Sequence, residues 1–155
     1  MFQIKSRFND SVIYKCELDE KTKKLDYTEQ LGFAVIKAVG DCVSLEDANL
    51  ENVYLEYANL RGAHLKGADL KGADLRGVYL EHANLEDANL EDAYLEYAYL
   101  ECVSLKYANL GHANLGHANL ENANLEHASL KYANLMGADL EGANLMGAYL
   151  RGTKF

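Results

Sequence analysis

From Val43 onward the chain repeats a five-residue pattern of apolar and polar positions without interruption. Leucine falls at every fifth position from Leu45 to Leu150, and Phe155 takes the last of these positions. Two residues before each of them is Ala or Val, with Thr153 as the one polar exception. The result is 23 consecutive units of the form A(N/D/S/Y)Lxx, which we call pentads, and their other three positions are mostly polar.

A period of five is compatible with neither a long helix nor a long strand. In a helix, successive leucines would step by about 140° and spiral round every side. In a strand, an odd period would send them alternately to opposite faces. Within one pentad, however, the Ala and the Leu are two residues apart, so a short extended segment can point both inward before the chain turns. Short segments separated by turns predict an all-β solenoid, in which stacked coils bury their leucines against one another.

The segment before the repeats, residues 1–40, carries the signals of a β-hairpin. Apolar residues alternate imperfectly over residues 2–8 and cleanly over residues 12–18, which is the period of a strand. Asn9, Asp10 and Ser11 lie between the two runs and are typical of a tight turn.

A helix is predicted to follow the hairpin. Asp26 precedes Glu29 by three residues, which is the spacing of a capping box. An apolar stripe with helical spacing follows and consists of Leu31, Ala34, Val35 and Ala38. We expect a helix over residues 27–39 that ends at Gly40 and covers the first coil, so that residues 1–40 form a hairpin-plus-helix cap. A separate binding domain is less favoured, because a segment of about 40 residues can barely form a core alone.

The run DCVSLEDANLENVYLEYANL and the sequence that follows it resemble the pentapeptide-repeat family. The resemblance covers residues 41–155 and implies a right-handed quadrilateral β-helix with four pentads in each coil. It implies about six coils, or roughly 28 Å of rod at the spacing of β-strands. It also implies that the Leu and the Ala two residues before it point inward, while the other three side chains point outward.

Targeting signals and sites for chemistry are not evident in the sequence. No apolar run is long enough to span a membrane, and the N-terminus MFQIKSRFND lacks the apolar core of a signal peptide, so we expect a cytoplasmic protein.

The odd set of cysteines, Cys16, Cys42 and Cys102, is expected to be reduced. The five histidines all take outward positions without a converging set of ligands, and no catalytic constellation is recognisable. We expect no enzyme activity, no metal and no cofactor.

Charge is unevenly distributed along the chain. The net charge is −9, and residues 41–155 carry eight basic and 18 acidic residues. Direct contact with nucleic acid is disfavoured by this sign. When pentads stack four to a coil, outward positions form columns, and opposite charges alternate in several of them. Lys66, Lys71 and Arg76 are therefore expected to pair with acidic residues one coil later.

Two outward surfaces are candidates for binding a partner. The first is an acidic column in which like charges stack, and it consists of Glu81, Glu101, Glu121 and Glu141. The second is a Tyr face that consists of Tyr54, Tyr57, Tyr94 and Tyr97. Tyrosine is enriched at protein interfaces because it offers rigid area with a polar tip. The alternatives are a solvated face for the first surface and ordinary exposed β-structure for the second.

The last coil is a candidate dimer interface. Its apolar side chains lie near an open end and comprise Leu140, Leu145, Leu150 and Phe155. An uncovered coil leaves backbone groups that can pair with another edge, and Phe155 supplies a large apolar anchor. The resemblance implies the same, since gyrase-binding members of the family often dimerise at this end. The alternative is a monomer in which Arg151 and Lys154 discourage association.

The leading functional hypothesis is a non-catalytic protein-interaction module that presents a charged, Tyr-rich rod to a protein partner. The resemblance implies a second hypothesis, a DNA-mimicking protein that binds a type II topoisomerase such as gyrase, as quinolone-resistance pentapeptide proteins do. A duplex about 28 Å long carries about 16 phosphate charges, whereas the repeats carry fewer and partly paired charges. A structural spacer within a larger assembly is the third hypothesis.

Overall fold

The computed structural model describes residues 1–155, and its repeats form a continuous all-β solenoid. Parallel β-bridges join residues that are 20 positions apart, from Asn49 with Asp69 through Asn134 with Lys154. One coil therefore contains four pentads, and each pentad contributes one side of the coil. Outward residues one coil apart lie above one another in columns. No helix is both long enough and apolar enough to cross a lipid bilayer.

Every pentad from Leu45 to Leu150 ends in the same kind of β-turn. The amide of Ala48, for example, donates to the carbonyl oxygen of Leu45 at 3.1 Å. The second residue inside each turn has a positive φ, as at Tyr97 (60°) and Gly77 (62°). A positive φ at this position is the requirement of a type II turn, and it is costly for residues other than Gly, Asn and Asp.

The hydrogen bonds of one pentad, residues 89–93, explain the consensus sequence. The amides of its first, second and fourth residues donate to carbonyl oxygens of neighbouring coils at 2.7–3.0 Å. The amide of Ala93 closes the turn on Leu90 (3.1 Å). The remaining amide, that of Glu91, donates to the side-chain oxygen of Asn89 at 3.3 Å. An Asn or Asp before the leucine thus satisfies the fifth donor, and a chain that uses every amide has no place for proline.

The core is one column of apolar side chains along the solenoid axis. Every repeat leucine from Leu45 to Leu135 is buried, and so is every Ala or Val two residues before a leucine from Ala48 to Ala133. The leucines fill the interior and the alanines allow the walls to approach one another. The predicted inward register is confirmed over these residues.

The N-terminal residues form a hairpin and two helices. Strands β1 (Phe2–Lys5) and β2 (Val12–Cys16) pair antiparallel, with an irregularity between Ile4 and Lys5. A single 3-10 turn (Thr22–Lys24) precedes helix α1 (Tyr27–Gly40).

The predicted capping box of α1 is confirmed. The Asp26 side chain accepts from the Glu29 amide, and the Glu29 side chain accepts from the Asp26 amide, both at 3.0 Å. The predicted helix of roughly residues 27–39 agrees with the observed one, which ends at Gly40, and Cys42 is the residue with a positive φ (55°) that follows it. The Val43 amide then bonds to the Ala38 carbonyl at 2.9 Å, as in a Schellman motif.

Hydrogen bonds and side-chain packing join the N-terminal elements to the first coil. The amide of Asn49 donates to Lys5 at 2.8 Å, and the amide of Arg7 donates to Asp47 at 2.9 Å. The apolar stripe of α1 belongs to the same buried cluster as the repeat leucines. At Gly32 the helix approaches so closely that a Cβ would lie 2.1 Å from the carbonyl oxygen of Tyr54. Helix α1 therefore lies directly against the backbone of the first coil.

Candidate functional site

The Tyr face is the most distinctive outer surface of the solenoid. Tyr54 and Tyr94 lie in one column with Asp74 between them, and Tyr57 and Tyr97 lie in the neighbouring column with Gly77 between them. Tyr57 and Tyr97 are 68% and 63% exposed. The structure thus places the four tyrosines on one side of the rod, and the two tyrosines of each column are two coils apart.

A shallow groove of about 480 Å³ runs along the Tyr face. Its lining begins at Glu56 and Tyr57, passes Gly77 and Gly116, and ends near Met136. The two glycines provide the depth, because each occupies an outward position whose side chain would otherwise fill the groove. The groove therefore arises from missing side chains and needs no insertion between the coils.

Aromatic rings form the wall of this groove. Tyr97 stacks on His117 of the next coil, with ring centroids 5.2 Å apart and planes 10° apart. The ring of Tyr57 lies against the backbone of Gly77, where a Cβ would come within 2.5 Å of it. Similar stacks join Tyr107 with His127 and His112 with Tyr132 on other sides of the solenoid.

The charges beside the groove are partly neutralised by Arg76. Its guanidinium donates two hydrogen bonds to the Asp74 carboxylate, at 2.5 and 2.8 Å, and lies 3.8 Å from Glu56. The hydrogen bonds from Arg76 hold the pKa of Asp74 below its usual range, and the same contacts raise the pKa of Arg76. Asp74 is buried, so its charge depends on this partner.

Glu96 lies in the same column as Glu56 and Arg76, one coil beyond Arg76, and forms no ion pair. One carboxylate oxygen accepts a hydrogen bond from the side-chain amide of Asn114. The other, Oε2, is shielded from water and has no hydrogen-bond partner. A buried acceptor without a donor costs about 1–3 kcal/mol. The groove therefore contains a carboxylate oxygen that has no hydrogen-bond donor.

The predicted pairing of charges between coils is partly correct. Lys66 pairs with Glu86 and Lys71 with Glu91, each at 3.4 Å, and these predictions are confirmed. The prediction for Arg76 is correct in part: it lies 3.8 Å from Glu56 in the adjacent coil of its column, but the expected ion pair with Glu96 one coil later does not form, and Arg76 bonds to Asp74 of its own coil instead. The Asp74 carboxylate is two residues away on a rigid segment, so it reaches the guanidinium in a fork geometry that Glu96 does not.

The four residues of the acidic column are all glutamates, but their surroundings differ. Glu81 is buried against Arg61, which it contacts at 2.7 Å, and Arg61 also covers the ring of Tyr79. Glu101 accepts from the side-chain amide of Asn119. Glu121 and Glu141 are exposed and form no ion pair. Only Glu81 of this column is paired with a cation, so the negative charges of Glu101, Glu121 and Glu141 are not neutralised by an ion pair.

The last coil exposes apolar side chains. Leu140 and Leu145 are half-buried, whereas Leu150 is 39% and Phe155 66% exposed. The amides of the three leucines lack the bond to a following coil that the earlier leucines form. The structure therefore brings these four residues together at one end of the core.

The remaining candidate residues do not assemble into a chemical site. All three cysteines are free thiols, and burial raises the pKa of Cys16. No group of three His, Cys, Asp or Glu side chains is placed to hold a metal ion. The Tyr–His stacks and the groove were not predicted from the sequence, although aligning successive coils of the sequence places Tyr97 beside His117 and Gly77 beside Tyr57.

A regular β-solenoid of five-residue units with such an outer surface defines a class of repeat proteins. Eight copies of the pentapeptide-repeat model match the chain and together span residues 44–155. The chain belongs to the pentapeptide-repeat family, and its solenoid is the right-handed β-helix of that family. No curated protein sequence matches the chain.

Several solved structures of pentapeptide-repeat proteins are similar to this chain. Rfr23 from the cyanobacterium Cyanothece 51142 is 34% identical, with 71% of this chain and 65% of that chain covered and a TM-score of 0.41. HetL from Nostoc sp. strain PCC 7120 is 39% identical, with coverages of 71% and 56% and a TM-score of 0.30. QnrB1, a plasmid-mediated fluoroquinolone resistance protein, is 18% identical, with coverages of 72% and 64% and a TM-score of 0.49. The chain thus spans less than two thirds of the length of each.

Proposed function

We propose that this protein is a non-catalytic protein-interaction module whose partner binds the Tyr face. The observation that carries the proposal is the set of four exposed tyrosines on a rigid β-helix, beside a groove with an unpaired acceptor. Tyrosine gives large contact area at low entropic cost, and a rigid backbone lowers that cost further. Family members are generally structural or interaction modules, which agrees with a role without catalysis.

Affinity capture with matched variants tests this proposal. The tagged protein is used to capture partners from a lysate of its source, in parallel with the double variant Tyr57→Ser, Tyr97→Ser. The control is Tyr149→Ser, which removes an equally exposed tyrosine from a different side of the rod. We expect one specific partner to be lost with the double variant and retained with the control. Equal capture by all three proteins would overturn the assignment of the Tyr face.

A second candidate function is mimicry of DNA toward a type II topoisomerase such as gyrase. The net charge of −9 and the exposed, unpaired carboxylates of Glu121 and Glu141 favour it. The ion pairs that neutralise Glu81, Glu86 and Glu91 disfavour it, because they reduce the negative charge of the surface. The test is gyrase supercoiling with purified protein, where mimicry requires inhibition that weakens as salt rises. No inhibition at a large molar excess over gyrase would eliminate this function.

The acidic column can be tested in the same capture experiment. Changing Glu101, Glu121 and Glu141 to Gln removes charge without changing side-chain size. Loss of a partner that the Tyr-face variant retains would assign binding to the acidic column instead.

We further propose that residues 1–40 act as a cap on a rod of about six coils, and that a second copy of the chain binds the last coil. The Lys5 carbonyl accepts a hydrogen bond from Asn49 of the first coil and the Arg7 amide donates one to Asp47, and both bonds support the cap. The exposed side chains of Leu150 and Phe155 support the homodimer. Both proposals are tested by the variants described in the Discussion.

A further inference from the structure

The tyrosines of the Tyr face recur at a fixed interval along the solenoid axis. Tyr54 and Tyr94 lie in one column and Tyr57 and Tyr97 in the neighbouring column, with two coils between the members of each pair. Stacked strands are about 4.8 Å apart, so the backbone positions of each pair are about 9.6 Å apart. All four side chains are between 52% and 68% exposed. The Tyr face is therefore an aromatic surface with a defined repeat.

The protein holds these rings in place without covering them. The ring of Tyr57 lies over Gly77, where a Cβ would come within 2.5 Å of it, and Tyr97 stacks on His117. In the other column, a cavity of about 210 Å³ is lined by both Tyr54 and Tyr94. Rings that are already positioned lose little conformational freedom when a partner packs on them.

The tyrosine hydroxyls of this surface are free to donate hydrogen bonds. The hydroxyl of Tyr14 bonds to Asp41. The hydroxyls of the four tyrosines on the Tyr face, in contrast, have no partner within the protein and lie on exposed side chains. A segment that offers unused backbone carbonyl oxygens would satisfy these donors.

The polyproline II helix matches both the repeat and the donors. It has three residues per turn and a rise of about 3.1 Å, so residues on one side recur at about 9.3 Å. Same-side residues recur at about 6.8 Å in a strand, and two turns of an α-helix span about 10.8 Å. An α-helix also uses its carbonyl oxygens internally, whereas the polyproline II backbone has no internal hydrogen bonds.

We propose that the Tyr face binds a proline-rich segment of the partner protein in the polyproline II conformation. The segment lies along the solenoid axis, packs its proline rings on the tyrosines and accepts hydrogen bonds from their hydroxyls. The groove that begins at Tyr57 continues along the axis to Met136 and provides its path. This inference rests on the proposed function of the Tyr face, because it names the chemistry of the partner that binds there.

The charge of the solenoid defines the segment further. Residues 41–155 carry eight basic and 18 acidic residues. A complementary segment therefore carries Lys or Arg among its prolines, and these side chains increase the rate of association more than they fix the position of the segment.

The test is NMR titration of the whole protein with an acetylated peptide amide of three Arg-Pro-Pro repeats. The matched probe has three Arg-Gly-Gly repeats, with the same charge and a flexible backbone. We expect shift changes concentrated at the four tyrosines with the proline peptide, and weaker binding of the glycine peptide by about fivefold or more. Equal binding of the two peptides, or shifts spread over the acidic surface, would overturn the proposal.

Two pairs of variants separate the tyrosines from general electrostatics, and none of them changes charge. The double variant Tyr57→Ser, Tyr97→Ser should abolish the localised shifts, whereas Tyr149→Ser should retain them. The double variant Tyr54→Phe, Tyr94→Phe keeps the rings and removes two hydroxyls, so it should weaken the proline peptide about two- to tenfold, and Tyr149→Phe should not. Equal effects of variant and control in either pair would refute the mode of binding.

Failure of this inference differs from failure of the proposed function. If the Tyr-face variant loses its captured partner and the proline peptide binds no better than the glycine peptide, the interaction surface stands and the polyproline assignment falls. If the proline peptide binds the four tyrosines and capture is unchanged by the Tyr-face variant, the surface recognises proline-rich segments and the proposed partner surface is wrong.

Discussion

Tyr97 lies flat on His117, which occupies the same position one coil further along the solenoid, with ring centroids 5.2 Å apart. Both residues have a positive φ, of 60° and 58°. This backbone region costs an ordinary L-residue about 1–2 kcal/mol, and an aromatic stack contributes about 0.5–1.5 kcal/mol. The two residues of one stack together cost about 2–4 kcal/mol, so stacking between coils offsets part of the strain in the turns. It favours aromatic residues at positions of this kind where another ring lies one coil away.

Truncation of a central leucine should be strongly destabilising. Leu95 is almost completely buried in the middle of the stack. Leu95→Ala is expected to lower the free energy of unfolding by about 2–5 kcal/mol, because it leaves a cavity between rigid coils. Denaturant unfolding followed by circular dichroism measures this loss. Stability equal to that of the parent would contradict the register of the core.

Enlargement of the partner position should also be destabilising. Ala93 is buried where the walls of the solenoid approach one another. Ala93→Leu is expected to cost about 1–3 kcal/mol through overpacking. The comparison is made in the same unfolding experiment, with Tyr94→Phe as a surface control that should change stability little.

Docking of helix α1 should depend on the absence of a side chain at Gly32. A Cβ there would lie 2.1 Å from the Tyr54 carbonyl oxygen, so Gly32→Ala must push the helix away from the first coil. We expect a loss of about 1–3 kcal/mol and faster amide exchange in the first coil. Gly40→Ala is the control, since a Cβ at Gly40 meets nothing within 4 Å. Similar effects of the two changes would argue against the cap.

Acid should remove the contribution of the Asp74–Arg76 pair. The folded-state pKa of Asp74 lies below its unfolded value because Arg76 bonds to the carboxylate. The stabilisation is therefore complete above the unfolded pKa, about 3.9, and is lost as pH falls through the folded pKa. Asp74→Asn should lower the melting temperature by several degrees at pH 7 and by much less near pH 2. A difference that does not change with pH would show that the ionised pair is not responsible.

The proposed dimer should depend on Phe155. Its side chain lies in the last coil and is 66% exposed, so Phe155→Glu places a charge where apolar surface would be buried. Light scattering at micromolar concentration should give about twice the chain mass of 17.2 kDa for the parent and the single mass for the variant. Arg151→Glu tests whether charge alone has this effect. A parent mass equal to that of one chain would end the dimer proposal.

The solenoid was predictable because its signal is local and repeated. Each pair such as Ala93 and Leu95 carries the inward register, and no long-range information is needed to place it. The capping box of Asp26 and Glu29 was predictable for the same reason. The helix end near Gly40 was predictable from the end of the apolar stripe, but the left-handed backbone of Cys42 was not, because nothing in that residue type favours a positive φ.

The columns of outward residues could be predicted from the sequence, but the contacts between their side chains could not. Arg76 has carboxylates in reach on three coils, and the sequence does not state that Asp74 holds it. Side-chain conformation decides such choices, and several arrangements differ little in energy. The groove was not predicted either, because it forms where Gly77 and Gly116 have no side chain.

The regular spacing of the bridges gives every outward residue two coordinates, a level along the axis and one of four sides. Gain or loss of a whole coil would lengthen or shorten the rod while each column stayed intact. Gain or loss of a single pentad would keep the leucines buried and rotate everything downstream by a quarter turn. Tyr97 would then face a different set of neighbours although no core residue had changed. The same core can therefore support many different outer surfaces. The binding face can change in evolution while the fold stays the same.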